Sequence, residues 1–275
     1  MSDDTHVLRV ILVTQDDPFY LPHFFEPLKA ALDRHPDISV RGIVIQRPLG
    51  ARSTSELARQ MLDFYGPVGF VRMGTRFVWR KAMAIVAVHG FGGHLPGAYS
   101  LEHLARRVGW PVLAATDVNS PEFLATIREQ QIDLVVSVGA SQKFKRPVLE
   151  APRFGCINLH NSKLPRLRGM LPTFWALFEY DRDPTSALTV FKMTEDLDAG
   201  PLVLQREFAL DPAEPLDRLI KRTKGLGAEL VVDAIALYRH GEPPLTPMDP
   251  ALATYKSFPK KQDVDAFRAR GYRIL

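Results

Sequence analysis

A single cysteine among 275 residues means that no disulfide can close within the chain and no redox framework shapes its fold. That residue, Cys156, lies among apolar neighbours, the setting of a buried, inert thiol. Long hydrophobic runs are missing too. The greasiest patch, Ala82 to Val88, follows Arg80-Lys81 and is cut at once by His89-Gly90, far short of the roughly 20 apolar residues of a membrane span; it is expected to be a buried helix. The start, Met1-Ser2-Asp3-Asp4-Thr5-His6, is acidic and leads straight into Val7 to Val13, without the basic segment and apolar stretch of a signal peptide. The expectation is a cytoplasmic protein with no membrane attachment. No Gly-x-Gly-x-x-Gly follows the first apolar run, which argues against an ordinary dinucleotide-dependent oxidoreductase. Neither a cluster of Cys and His at ligand spacing nor a nucleophile elbow occurs. The charge excess is small: a net +4 suits anionic ligands but falls short of a nucleic-acid signature.

What is present is a rhythm. Strand-like runs at Leu8 to Thr14 and Val40 to Gln46 alternate with helical spacing at Pro22 to Arg34 and Ser53 to Phe64. Such alternation predicts an α/β fold, a Rossmann-like, mostly parallel sheet flanked by helices. Residues 65–99 break the rhythm and read as an insertion or loop-helix element. Its Phe64, Tyr65, Phe70, Arg72, Arg76, Phe77 and Trp79 either line an acceptor cleft or pack a helix. The pattern resumes with a helix over Ser100 to Val108, a strand over Val112 to Thr116, a helix capped by Ser120 with Glu122 in its first turn, and a strand over Asp133 to Gly139. Further on come a helix over Met170 to Tyr180, strands over Ser186 to Met193 and Leu202 to Leu210, and a long amphipathic helix over Pro215 to Arg239. Residues 1–242 are therefore expected to form the core. Residues 243–275, with a short helix over Asp263 to Arg270, are expected to be a C-terminal tail packed on the core or a partner, since about 30 residues are too few for an independent domain.

The chemistry concentrates in Ile157 to Gly169 and in Glu195 to Pro201. Apolar Cys156, Ile157 and Leu159 mark a strand end, and residues two apart on a strand share a face, so Asn158 and His160 are displayed together. Asp198 precedes the turn Ala199-Gly200-Pro201, which leaves its carboxylate free to reach a neighbouring imidazole. The set is a hydrogen-bond donor, an acid/base and an orienting group.

With those residues in register, the stretch from about Ile132 to Gly241 resembles the formyltransferases that use 10-formyltetrahydrofolate. The family's strand reads Asn-x-His-Pro-Ser-x-Leu-Pro-x-x-x-Gly, matched by Asn158, His160, Ser162, Leu164, Pro165 and Gly169 with Asn161 in place of proline; its Asp-x-Gly-Pro is Asp198, Gly200 and Pro201. The resemblance implies direct attack of a primary amine on a formyl carbon, which builds negative charge on oxygen and positive charge on nitrogen and requires neither a metal nor a covalent enzyme intermediate, in agreement with the motifs missing above. Asn158 and His160 would donate to that oxygen, and Asp198 would take the amine's proton directly or through water. It also implies a folate site along the stretch Ser137 to Phe144, with Gly139, Ser141, Gln142, Lys143 and Phe144 as its contacts, and with Glu195, Asp196 and Leu197 in the opposite wall. Arg166 and Arg168 either meet an anionic acceptor or the glutamate tail of the folate, or form an exposed basic turn.

The acceptor is read as a small-molecule amine, an amino sugar or amino sugar nucleotide. The loop Thr14 to Tyr20 is acidic and lacks glycine, unlike the phosphate loop of glycinamide ribonucleotide transformylases. tRNA is set aside because residues 243–275 are far shorter than the carboxy-terminal domain of methionyl-tRNA formyltransferases. Methionyl-tRNA formyltransferase-like activity, formyltetrahydrofolate deformylase activity and a catalytically silent folate-binding module stand as alternatives, and a homo-oligomer is allowed.

Overall fold

A computed structural model describes residues 7–47, 54–89, 98–115 and 117–275, with the side chains of residues 54, 88 and 89 excluded. The strands are β1 (Leu8–Gln15), β2 (Ile38–Gln46), β3 (Leu134–Val138), β4 (Cys156–His160), β5 (Arg168–Gly169), β6 (Thr185–Lys192), β7 (Leu202–Ala209) and β8 (Tyr255–Lys256). The α-helices are α1 (Pro22–Leu32), α2 (Thr54–His89), α3 (Leu101–Arg107), α4 (Pro121–Glu129), α5 (Arg146–Glu150), α6 (Pro172–Phe178), α7 (Leu216–Ala236) and α8 (Lys261–Ala269). Six strands form one sheet in the order β2-β1-β3-β4-β6-β7. The first four run parallel, and β6 and β7 extend the sheet antiparallel.

Alternation along each strand sorts the core into two layers, as the period of two requires. Leu8, Val10 and Leu12 of β1 pack with Leu134 and Val136 of β3, Ile157 and Leu159 of β4, and the buried faces of α1 and α7. The residues between them, Ile11, Val13, Val135 and Cys156, pack against Phe123 and Ile127 of α4 and Val148 of α5. Gly227 lets α7 approach β4: a Cβ there would lie 2.7 Å from Leu159 Cδ2. By the same alternation Asn158 and His160 share the face of Cys156, at the carboxyl end of β4. The chain leaves β1 toward α1 on one layer and β3 toward α5 on the other, so a crevice opens at the carboxyl ends where the winding reverses.

Three expectations need correction. The spacing predicts a helix ending at Phe64 and irregular structure after it, yet α2 continues to His89. Gly66 (φ 73, ψ 171) kinks the helix and Pro67 opens a second helical run, because proline is tolerated at the first turn of a helix; residues 53 and 90–97 of the expected elements lie outside the described residues, as do residues 1–6. The patch Ala82 to Val88 is helical but not buried throughout, with Ile85 63% and Val86 50% exposed. The expected strand over Val112 to Thr116 reduces to one bridge between Ile43 and Val112, residue 116 lying outside the described residues. Among the described residues no helix is long and apolar enough to cross a membrane.

Residues 243–275 add β8, which pairs with β5, and α8, whose Phe267 stacks on Phe174 of α6 with ring centroids 4.6 Å apart.

Candidate active site

The turn after β4 fixes the imidazole. Ser162, fully buried, donates through Oγ to the carbonyls of Arg166 and Leu167, at 3.0 and 3.2 Å. The Leu167 carbonyl in turn accepts from His160 Nε2 at 2.9 Å. A carbonyl accepts only, so Nε2 carries the proton and Nδ1 is the ring edge left for chemistry. Nδ1 faces Asp198 Oδ1 at 3.8 Å, too long for a direct hydrogen bond and short enough for a water or a small closure to bridge. The other carboxylate oxygen of Asp198 accepts the Gly169 N–H at 2.9 Å. The imidazole and the carboxylate are thus each tied on one side to the main chain of residues 167–169, and their free sides meet. Both are buried, 7% and 8% exposed.

Asp198 adopts φ 51, a left-handed conformation that aspartate tolerates better than most residues. The Gly200 that follows has a steric duty: an added Cβ would sit 1.7 Å from the Lys192 carbonyl oxygen. Only glycine lets the loop cross the end of β6 this closely, and the crossing places Asp198 opposite β4.

Asn158, His160 and Asp198 open into one cleft of about 500 Å³. Its walls include Gly139, Ser141, Gln142, Lys143 and Phe144 on one side and Glu195, Asp196 and Leu197 on the other, so all eleven residues singled out in the sequence border the same space. Their side chains do not all face a ligand. Phe144 is 1% exposed and packs in the core beside Val148 and Cys156. Gln142 Oε1 accepts from Gln46 Nε2 at 2.8 Å and from the Val118 N–H at 3.0 Å, which ties the loop after β3 to β2. What that wall offers is chiefly backbone, with Lys143 exposed.

Sequence reasoning missed other wall residues: Gln15, Met170, Leu171, Met193 and Tyr255. Ser137, which opens the stretch that the resemblance set beside the folate, also borders the cleft, because β3 pairs with β4 in the register that sets it beside Asn158. No local signal could have found Tyr255, since it reaches the cleft only through the pairing of β8 with β5. Conversely, none of the seven residues of the aromatic and basic insertion borders this cleft. Phe64 packs against Phe174 and Phe258, Phe77 against Phe19, and Trp79 against Tyr99. Arg166 is likewise engaged, at 3.3 Å from Glu179 and 3.5 Å from Asp183. Beside it, burial works against the charge of Lys163, but hydrogen bonds to Asp183 and Glu207 carry its pKa above the ordinary value. The basic turn is a fastening of residues 163–166 to their surroundings. Cys156 is buried and its thiol pKa is pushed up by burial, which keeps it protonated and unreactive.

A folate donor fits this space on chemical grounds. The cleft sets apolar side chains of Leu171, Phe191 and Met193 between two backbone-rich loops, the combination that a flat ring edged with hydrogen-bonding groups requires.

The formyl transferase family pattern matches residues 98–235. The methionyl-tRNA formyltransferase of Geotalea daltonii is 35% identical over 160 residues, which are 58% of this chain and 51% of that protein. The chain therefore spans about half the length of the curated relatives it matches. Among solved structures, glycinamide ribonucleotide transformylase 1 of Symbiobacterium toebii shares the fold with TM-score 0.56 at 17% identity, over 89% of this chain and 95% of that one. A sugar N-formyltransferase of Shewanella sp. does so with TM-score 0.51 at 14% identity, over 92% and 77%. The expectation that set tRNA aside as a partner is overturned, because the curated relatives are methionyl-tRNA formyltransferases. That expectation weighed the length of residues 243–275, whereas the likeness lies in the part that carries Asn158, His160 and Asp198. By its sequence pattern and its fold the chain belongs to the formyl transferase family.

Proposed function

We propose that the protein transfers a formyl group from 10-formyltetrahydrofolate to a primary amine, with the amino group of methionyl-tRNA as the acceptor. A cytoplasmic setting goes with that reading. The observation that carries the transfer is the convergence of an amide, an imidazole and a carboxylate on one cleft at the carboxyl end of β4. The acceptor rests on the curated relatives.

The bound folate supplies the electrophilic formyl carbon. Asn158, at the mouth of β4, donates its amide N–H to the oxygen that gains negative charge. His160 shuttles a proton through Nδ1, because Nε2 is engaged by Leu167, and it supports the same oxygen while that proton is on Nδ1. Asp198 receives the proton that the attacking amine must shed, on the oxygen not held by Gly169, and the His160–Asp198 pair would return a proton to the folate nitrogen, which leaves as its bond to the formyl carbon breaks. Loss of one pre-aligned donor of this kind costs about 2.7–4 kcal/mol of transition-state stabilisation.

The test is a mass-resolved formylation assay with 10-formyltetrahydrofolate and three acceptors: methionyl-tRNA, an amino sugar nucleotide, and water alone. Formylmethionyl-tRNA as the main product, lost in Asn158→Ala, supports the reading. Formylated sugar or free formate in its place would overturn the acceptor, and no turnover with any of them would overturn the transfer.

A further inference from the structure

A second cavity, of about 380 Å³, lies where the kink of α2 meets the end of the chain, and three of the residues lining it are Arg72, Arg268 and Arg273. Among the described residues none of these guanidinium groups has a carboxylate within 4.0 Å. The neighbouring Arg222, by contrast, is neutralised by Glu214 at 2.9 Å. Two of the three are held in place by main-chain acceptors. Arg268 donates to the Phe64 carbonyl at 2.9 Å and lies against Gly66, where a Cβ would be 3.4 Å from its Nη2; Arg273 donates to the Ala213 carbonyl at 2.7 Å. Each of these bonds uses one of the five N–H groups of a guanidinium, and the rest stay available. The helical run that begins at Pro67 turns its positive end toward the same region. Tyr65 and Tyr272 complete the lining with aromatic surface.

Three guanidinium groups without a carboxylate partner within 4.0 Å among the described residues, two of them held by main-chain acceptors, attract around this concavity an anion with several acceptor oxygens, and guanidinium forks match phosphate better than any other common anion. We propose that this cavity is a phosphate-binding site separate from the formyl-transfer cleft. Its phosphate comes from the backbone of the tRNA acceptor, a source that rests on the function proposed above, or from a small phosphorylated ligand.

The experiment measures binding of the intact protein to three probes, uncharged initiator tRNA, ATP and pyrophosphate, over a salt series. The wild type is compared with the double variant Arg72→Gln, Arg273→Gln. Arg268 is left in that variant because it also caps the kink, and Arg268→Lys serves as a second variant that keeps the charge and loses the fork. With tRNA as the source, the double variant binds tRNA about tenfold more weakly or worse, and the slope of log affinity against log salt falls by roughly 1, near 0.9 for the phosphate that is no longer neutralised. Loss of ATP and pyrophosphate binding with tRNA affinity intact assigns the cavity to a small ligand. Unchanged affinity for all three probes in both variants overturns the site. Formylation of methionyl-tRNA by the wild type, assayed separately, tells failure of the function from failure of the cavity, since pyrophosphate binding does not depend on it.

Discussion

Asp198 has one carboxylate oxygen engaged by the Gly169 N–H and one facing His160, which separates its two duties. In Asp198→Asn the amide oxygen can keep the bond to Gly169, so the loop stays in place while the proposed proton acceptor is lost. The expected outcome is a fall in kcat of about 10²–10⁴-fold with folate affinity within a factor of a few, read by single-turnover kinetics beside a folate-binding titration. An equal loss of folate affinity would assign Asp198 a binding role instead. Gly200 offers a complementary test of geometry. Its neighbour across the gap is a backbone oxygen, the Lys192 carbonyl, which cannot rotate away as a side chain would. Gly200→Ala is therefore expected to destabilise the protein by roughly 1–3 kcal/mol, the usual cost of overpacking, and to lower kcat by displacing Asp198. Denaturant unfolding and turnover check the two parts, and a variant with wild-type values in both would mean that the loop has room to shift.

At the scale of elements, α3 carries a histidine whose environment opposes its charge. His103 is 2% exposed, stacked on Tyr99, and neither ring nitrogen has a hydrogen-bond partner among the described residues. Burial first, and then the charge of Arg107, lowers its pKa below the ordinary 6.5. His23 of α1 is shifted the same way by burial and by Lys221 and Arg80. Because the unfolded chain binds these protons more readily, their contribution to stability is intact above about pH 6.5 and is lost as the pH falls below it. His103→Phe keeps the stacking and removes the proton, so its midpoint in urea should fall less between pH 7 and pH 5 than that of the wild type. Identical pH profiles would show that His103 does not titrate in this range. The elements themselves were legible to different degrees, for local reasons. The Ser120 cap and α4 could be read because the cap is a bond between Ser120 and Phe123, three residues apart. The face shared by Asn158 and His160 follows from strand alternation alone. The length of α2 was hidden by Gly66-Pro67, a pair that signals a turn and here makes a kink within a helix.

At the scale of the whole molecule, the part least legible in the sequence proves to support the site. β8 and the residue before it hold the turn after β4: the Leu167 N–H donates to Thr254 Oγ1 at 2.9 Å, Arg168 N–H to the Thr254 carbonyl at 2.9 Å, and Met170 N–H to the Lys256 carbonyl at 2.8 Å. Those contacts span more than 80 positions, and no periodicity in one strand of two residues announces them. Their consequence runs inward, since Leu167 presents the carbonyl that sets His160 and Gly169 presents the N–H that sets Asp198. Two substitutions separate cover from support. Phe267→Ala removes a fully buried ring from the stack on Phe174 and should cost about 3–5 kcal/mol, a global loss visible as a lower melting temperature. Thr254→Val keeps the volume but takes the acceptor from the Leu167 N–H; because Thr254 is exposed and water can reach the site, the cost is about 0.5–1.5 kcal/mol. If residues 243–275 position the catalytic pair, Thr254→Val lowers kcat by about tenfold with little change in folate affinity, and Thr254→Ser restores it because the hydroxyl returns. A Thr254→Val enzyme with unaltered kcat would reduce β8 to a passive cover, and His160 would then owe its orientation to Ser162 and the turn alone.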